Sequence, residues 1–153
     1  MQRIYPFLWF NDNAQEAVDF YVSIFKGAAV RSIMPGKDKI MGAEFELYGE
    51  KFIAINGGAS PSAEFVFTPA MSLFVSCKTQ KEIDELWEKL SEGGVPQECG
   101  WLRDKFGVSW QIVPAVLGPW LMDEDRQRAN RVMQAMLKMK KIDIKGLKQA
   151  YAG

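Results

Sequence analysis

The chain of 153 residues contains no histidine. That removes the commonest ligand for transition metals and the side chain that most often moves protons near neutral pH. General acid–base work would fall to Asp, Glu, Lys, Tyr or Cys. Cysteine is scarce: Cys77 and Cys99 allow one disulfide at most, and their spacing fits no C-x-x-C pattern, so both are expected as reduced thiols. No apolar run approaches the roughly 20 residues that span a bilayer. The opening Met1-Gln2-Arg3-Ile4-Tyr5-Pro6 lacks the layout of a signal peptide, so the expected setting is cytoplasmic, with no membrane partner. Net charge is absent as well, 19 basic residues cancelling 19 acidic ones.

The charge is unevenly spread. From Arg126 onward eight basic residues stand against one acid, Asp143, giving the tail +7; the other 11 basic and 18 acidic residues leave the remainder at −7. A basic tail suits nucleic acid. Here, however, Ala129, Val132, Met133, Met136 and Leu137 recur at helical spacing, and Asp123, Glu124 and Asp125 sit where a helix dipole favours acids. We therefore expect residues 121–153 to form a docked C-terminal helical extension, with no nucleic-acid partner.

Apolar residues make up 48% of the chain, enough for a sizeable core, and part of their pattern occurs twice. Ala17, Phe20, Tyr21, Ile24 and the closing Gly27 recur 66 residues later as Ile83, Leu86, Trp87, Leu90 and Gly93. The cap candidate Asn13 becomes Thr79. Tyr48-Gly49 and Phe52 recur 58 residues later as Phe106-Gly107 and Trp110, so the first copy holds eight extra residues, which the loop Pro35-Gly36-Lys37-Asp38-Lys39 would absorb. Two amphipathic helices ended by glycine superpose easily, so the shared order of neighbouring elements is the stronger sign. Apolar, strand-like runs precede both helices, over residues 4–10 and 71–76.

Residues 4–10 predict a strand buried on both faces or nearly so, followed by the turn Asn11-Asp12-Asn13 and a helix over 14–26. Strands follow at 29–34, 41–48 and 51–56, the last two joined tightly at Gly49-Glu50. Gly57-Gly58-Ala59-Ser60-Pro61-Ser62-Ala63 is the strongest linker signal, continuing to about Pro69. The second half repeats the order with a strand at 71–76, a helix at 80–92 stopped by Gly93-Gly94, and a strand at 95–98. Residues 100–104 lead into a hairpin at 105–108, and a closing strand at 109–113 ends at Pro114. The expected fold is α+β: two tandem βαβββ modules, residues 1–62 and 63–120, with a C-terminal helix in 121–153. One helix covers one face of a four-stranded sheet, so each sheet needs another surface for its second face. Two such sheets facing each other would enclose a cleft.

The order β-α-β-β-β taken twice, Phe7-Leu8-Trp9-Phe10-Asn11 with Ala17-Val18-Asp19-Phe20-Tyr21, and the run Cys99-Gly100-Trp101-Leu102-Arg103-Asp104-Lys105-Phe106-Gly107-Val108-Ser109-Trp110-Gln111-Ile112-Val113-Pro114 carry a family likeness. Over residues 4–117 the chain resembles the PhnB-like branch of the vicinal oxygen chelate superfamily, which includes glyoxalase, bleomycin-resistance proteins and extradiol dioxygenases. The resemblance implies a glyoxalase/bleomycin-resistance-like fold, a homodimer, and a divalent metal held by His, Glu or Gln from the first and last strands of each module. The implied first-strand positions fall near Tyr5, Pro6 or Phe7 and near Met71, Ser72 or Leu73, none a good ligand; the last-strand positions are Ile53 and Gln111. One neutral amide remains, so no metal and no cofactor are expected. Glu44 and Glu46 share a strand face and read as a solvated face rather than a metal pair. The branch is often labelled 3-demethylubiquinone-9 3-methyltransferase-like. Methyl transfer from S-adenosylmethionine would call for a glycine-rich loop opening a helix after a strand, and the glycine doublets here do not provide one.

Tyr5, Phe7, Trp9, Trp101 and Trp110 lie on strands that would flank the cleft, either as lining or as ordinary core. Alternation puts Ser109, Gln111 and Val113 on one face and Trp110 and Ile112 on the other. We expect Gln111 to face the cleft, because a core position would leave its amide unpaired at about 1–3 kcal/mol. Cys99 reads as a structural thiol, with no histidine to activate it. The candidate ligand-binding set is Phe7, Trp9, Trp101, Ser109 and Gln111, with no catalytic residue assigned and a hydrophobic or aromatic small molecule as partner. A metal-dependent lyase, isomerase or dioxygenase-like enzyme is the alternative.

Overall fold

The structure, a computed structural model, describes residues 2–58 and 66–153. The chain forms two compact units, Met1–Val66 and Phe67–Gly153. The expected 62/63 boundary and most of the glycine–serine linker lie outside the described residues.

In the first unit, β1 (Phe7–Phe10), α1 (Ala14–Ile24), β2 (Ala29–Met34), β3 (Gly42–Leu47) and β4 (Glu50–Asn56) build a sheet of order β1-β4-β3-β2. The β1–β4 pair is parallel and the others antiparallel. In the second unit, β5 (Ser72–Cys77), α2 (Gln80–Ser91), β6 (Val95–Pro96), β7 (Trp101–Arg103) and β8 (Ser109–Pro114) repeat the arrangement as β5-β8-β7-β6. The repeat read from the sequence is thus a repeat of topology. The extra length of the first copy goes to its loop and to β2, six residues against two in β6.

Each helix covers one sheet face. Ala17, Val18 and Tyr21 of α1 pack on the side of Leu8, Phe10, Phe45, Phe52 and Ala54, with Phe45 stacked between Tyr21 and Phe52 at ring distances of 6.3 and 5.3 Å. In the second unit, Ile83, Leu86 and Leu90 pack on the side of Val75, Leu102, Trp110 and Ile112. The expectation that the first strand is buried on both faces is corrected: Leu8 and Phe10 are buried, whereas Phe7 is 56% exposed. A single helix can cover only the even-numbered side of β1.

The helix starts differ in origin. Thr79 caps α2 locally, its hydroxyl accepting from the Glu82 N–H at 3.2 Å while Glu82 accepts from Lys78 N–H at 2.8 Å. Asn13 makes no side-chain cap bond; the N–H of Ala14 is satisfied by Asn56 Oδ1 at 2.8 Å, from the end of β4.

Where one C-terminal helix was expected, three follow β8: α3 (Leu117–Leu121), α4 (Arg126–Met136) and α5 (Ile144–Ala152). Asp125 caps α4, and Asp143, the single acid of the basic tail, caps α5 by accepting from Lys145 and Gly146 N–H. That cap starts a new helix where the apolar stripe of α4 has run out; Leu137, counted in the stripe, is 53% exposed. The extension docks on its own unit through a buried cluster of Val113, Leu117, Val132, Ile142 and Leu147, flanked by Trp120 stacked on Tyr151 at 4.7 Å. Among the described residues no helix is long and apolar enough to cross a membrane.

Candidate functional site

The face of each sheet turned away from its helix carries the residues singled out for binding. In the first unit, register places Phe7 beside Ile53 and Trp9 beside Ile55, with Glu44 and Gly42 next across the sheet. Trp9 lies along the chain where β4 ends: its Nε1–H donates to Gly58 O at 3.3 Å, and a Cβ on Gly57 would overlap its indole ring. Glycine at 57 is therefore what lets the indole lie flat against the backbone.

Glu44 and Glu46, the carboxylates on this face, are both engaged. Glu44 pairs with Lys51 at 3.4 Å and Glu46 with Arg31 at 2.6 Å. The Arg31 guanidinium is held above its ordinary pKa by the hydrogen bond to Glu46 and by its charge. A cation already neutralises each carboxylate, which fits the reading of a strand face better than a metal pair.

In the second unit, β5, β8 and β7 lay out a row across three strands. Gln111 pairs with Phe74 on one side and Trp101 on the other. Its Nε2 donates to Ser72 Oγ at 2.9 Å, fixing the amide on this face. Phe74 is 59% exposed, and Trp101 and Gln111 are half-buried. Ser109, two residues before Gln111 on the same face, is buried at 2% exposure. The structure thus brings Trp101 and Gln111 together as strand neighbours, with Ser109 in the adjoining row, while Phe7 and Trp9 belong to the other unit.

Trp110 occupies the helix side, 1% exposed, with its Nε1–H donating to Asp104 Oδ2 at 2.8 Å. Asp104 Oδ1 also accepts from Phe106 and Val108 N–H at 2.8 and 3.0 Å. Much of the family-like run therefore folds around one buried carboxylate, which locks the β7–β8 turn and holds Trp110 on the helix side. Gln111 is directed to the opposite face as a result.

Phe74 was missed in the sequence. The repeat offset of 66, taken from the helices, puts Leu73 opposite the position of Phe7; strand register gives 67, since Phe7 pairs with Ile53 and Phe74 with Gln111. Alternation counted from Ser72 was the signal that could have found it.

The metal positions implied by the resemblance offer Tyr5, Pro6 or Phe7 with Ile53 in one sheet and Met71, Ser72 or Leu73 with Gln111 in the other. Gln111 and Ser72 are hydrogen-bonded to each other, and no carboxylate lies among these positions. Neutral oxygens alone do not offset the cost of stripping water from a divalent ion, so the donor set does not fit one. Among the described residues no group of three or more Cys, Asp or Glu gathers elsewhere. Both cysteines are free thiols. Burial, and secondarily the charge of Glu82, pushes Cys77 up to about 12.

The family model described as 3-demethylubiquinone-9 3-methyltransferase matches residues 2–113. Among solved structures, a PhnB protein from Bacillus cereus is 40% identical, matched over 74% of this chain and 100% of its own, with a TM-score of 0.66. A protein from Pseudomonas aeruginosa is 24% identical over 74% of this chain and 98% of its own, TM-score 0.63. The fosfomycin resistance protein FosX from Listeria monocytogenes, solved with Mn(II) and sulfate, is 17% identical over 71% and 88%, TM-score 0.52. The last two share the fold alone. No curated protein matches.

Proposed function

The chain belongs to the PhnB-like 3-demethylubiquinone-9 3-methyltransferase family, and from that membership we propose that it is a vicinal oxygen chelate superfamily protein that binds a hydrophobic or aromatic small molecule without a resident metal. The observation that carries this reading is the row Phe74, Gln111, Trp101. Neighbouring strands are about 4.8 Å apart, so the two aromatic side chains stand roughly 10 Å apart with an amide between them. A planar ring system with one polar edge matches that spacing, gaining ring contacts at its ends and one hydrogen bond at its centre. Phe7 and Trp9 line the corresponding helix-free face of the first unit, and Ser109, buried in the row beside Gln111, is too enclosed to touch the ligand.

A metal-dependent lyase, isomerase or dioxygenase-like activity in an atypical site is the second reading. It would require Glu44 and Glu46 to release Lys51 and Arg31. Methyl transfer, which the family description names, is the reading the residues support least. Gly57-Gly58 follow β4 without opening a helix in the described chain, and Gly93-Gly94 follow α2. The reading also takes the protein to be a cytoplasmic homodimer with no nucleic-acid or membrane partner; a monomeric mass by light scattering at micromolar concentration would overturn the dimer.

Gentle native mass spectrometry and thermal unfolding test the proposal together. A retained small-molecule mass is expected, with a melting temperature unmoved by EDTA or by added Mn, Ni, Zn or Fe ions. A ligand at 100 times its Kd stabilises the fold by about 2.7 kcal/mol, enough to see. A melting temperature that falls with chelator and is restored by one metal would overturn the metal-free reading in favour of the second.

A further inference from the structure

The family model ends at residue 113, so the helical extension lies beyond it, yet the extension reaches the candidate site. Strand β7 starts from a turn in which Cys99 and Gly100 are successive left-handed residues, φ 57° and 83°. A cysteine stays in that conformation only where its surroundings hold it. Both turn N–H groups donate into the extension, Cys99 to Met139 O at 2.8 Å and Gly100 to Lys140 O at 2.7 Å, while Gly100 O accepts from Ile112 N–H at 2.8 Å. The turn is thus tied on one side to β8 and on the other to residues 139–140.

Ile142 is fully buried against this turn; a Cβ on Gly100 would stand 3.1 Å from Ile142 Cγ1 and 2.9 Å from Ile112 O. The same stretch is held from α2. Gln80 Nε2 donates to Ile142 O at 3.0 Å and Gln80 Oε1 accepts from Ile144 N–H at 2.8 Å, so one side-chain amide pairs with this backbone as a strand neighbour would. Lys141 adds an ion pair to Asp84 at 2.8 Å. The extension also packs on Val113, two residues past Gln111 on the same face.

We propose that Gln80 and Ile142 are positioning residues for Trp101: by clamping residues 139–144 against the Cys99-Gly100 turn they set where β7 begins and hold the indole in line with Gln111 and Phe74. Its consequence for binding rests on the ligand-binding reading above; the placement of Trp101 does not.

The test uses full-length protein labelled with 5-fluorotryptophan, in which Trp101→Phe identifies the Trp101 fluorine resonance. Gln80→Leu and Ile142→Ala should shift or broaden that resonance and leave Trp9, in the other unit, in place, while the conservative Ile142→Val should restore it. Binding of 1-anilinonaphthalene-8-sulfonate should weaken roughly three- to tenfold in the same two variants, the effect of misplacing one aromatic contact. If Ile142→Ala does not fold, Gln80→Leu, at a half-buried position, carries the test. A Trp101 resonance unmoved in a folded variant, or one that moves only together with Trp9, overturns the proposal. Probe affinity unchanged by Trp101→Ala, with the resonance responding as expected, supports the positioning role and overturns the ligand-binding reading instead.

Discussion

Replacing Asp104 with alanine removes the acceptor for three N–H groups, those of Phe106, Val108 and the Trp110 indole. The carboxylate is 2% exposed, so water does not readily replace it. Hydrogen bonds to a charged group contribute about 1.5–3 kcal/mol each, but bonds sharing one acceptor are not additive, so we expect a loss of about 3–5 kcal/mol. Asparagine separates the contributions. Its oxygen can keep the Phe106 and Val108 N–H groups, but its NH2 then meets the indole N–H donor to donor, at a cost of about 1–3 kcal/mol. At about 2–4 °C per kcal/mol for a chain of this size, the alanine variant should melt some 6–20 °C lower. Urea unfolding followed by tryptophan fluorescence measures both. Two variants within about 0.5 kcal/mol of wild type would refute the idea that this carboxylate holds Trp110, and with it the reason Gln111 faces away from α2.

Gly57→Ala should displace the Trp9 indole, destabilise the first unit by about 1–3 kcal/mol and change the Trp9 fluorine resonance; an unaltered resonance would contradict the packing. Gln111→Leu should weaken ligand or probe binding while changing the melting temperature little, since Gln111 and its partner Ser72 are both half-buried; equal binding would remove Gln111 from the site. Because Cys77 is pushed from 9.0 to about 12 in the folded state, its neutral thiol favours folding fully below about pH 9, and that contribution is lost as pH rises towards 12. Cys77→Val should therefore flatten the alkaline loss of stability in urea midpoints taken at pH 7, 9.5 and 11, and an identical slope would refute the cause. Leu147→Ala, fully buried in the extension, should cost about 2–5 kcal/mol; a smaller loss would mean that the extension is loosely docked.

The twofold βαβββ order was legible because it rests on local signals. Apolar spacing marks α1 and α2, and the tight hairpin expected at Gly49-Glu50 forms one residue earlier, at Tyr48-Gly49, with φ 51° and 82°. Features that depend on a distant partner were not legible. Asn13 has the chemistry of a cap, but Asn56, 42 residues away from Ala14, does the capping. Phe74 stayed hidden because strand register shifts the repeat by one residue relative to the helices. The second break in the tail escaped notice because Asp143 reads as a stray acid until its side chain is seen accepting two N–H groups.

The sequence by itself determined the repeat, the missing imidazoles, and the alternation that separates Gln111 from Trp110, because periodicity and composition belong to the chain before it folds. Tertiary structure alone decided which residues stand beside Gln111, that cations already hold Glu44 and Glu46, and that the extension grips the turn before Trp101. Those contacts join residues on different elements, and sheet register with helix docking, rather than local preference, selects them.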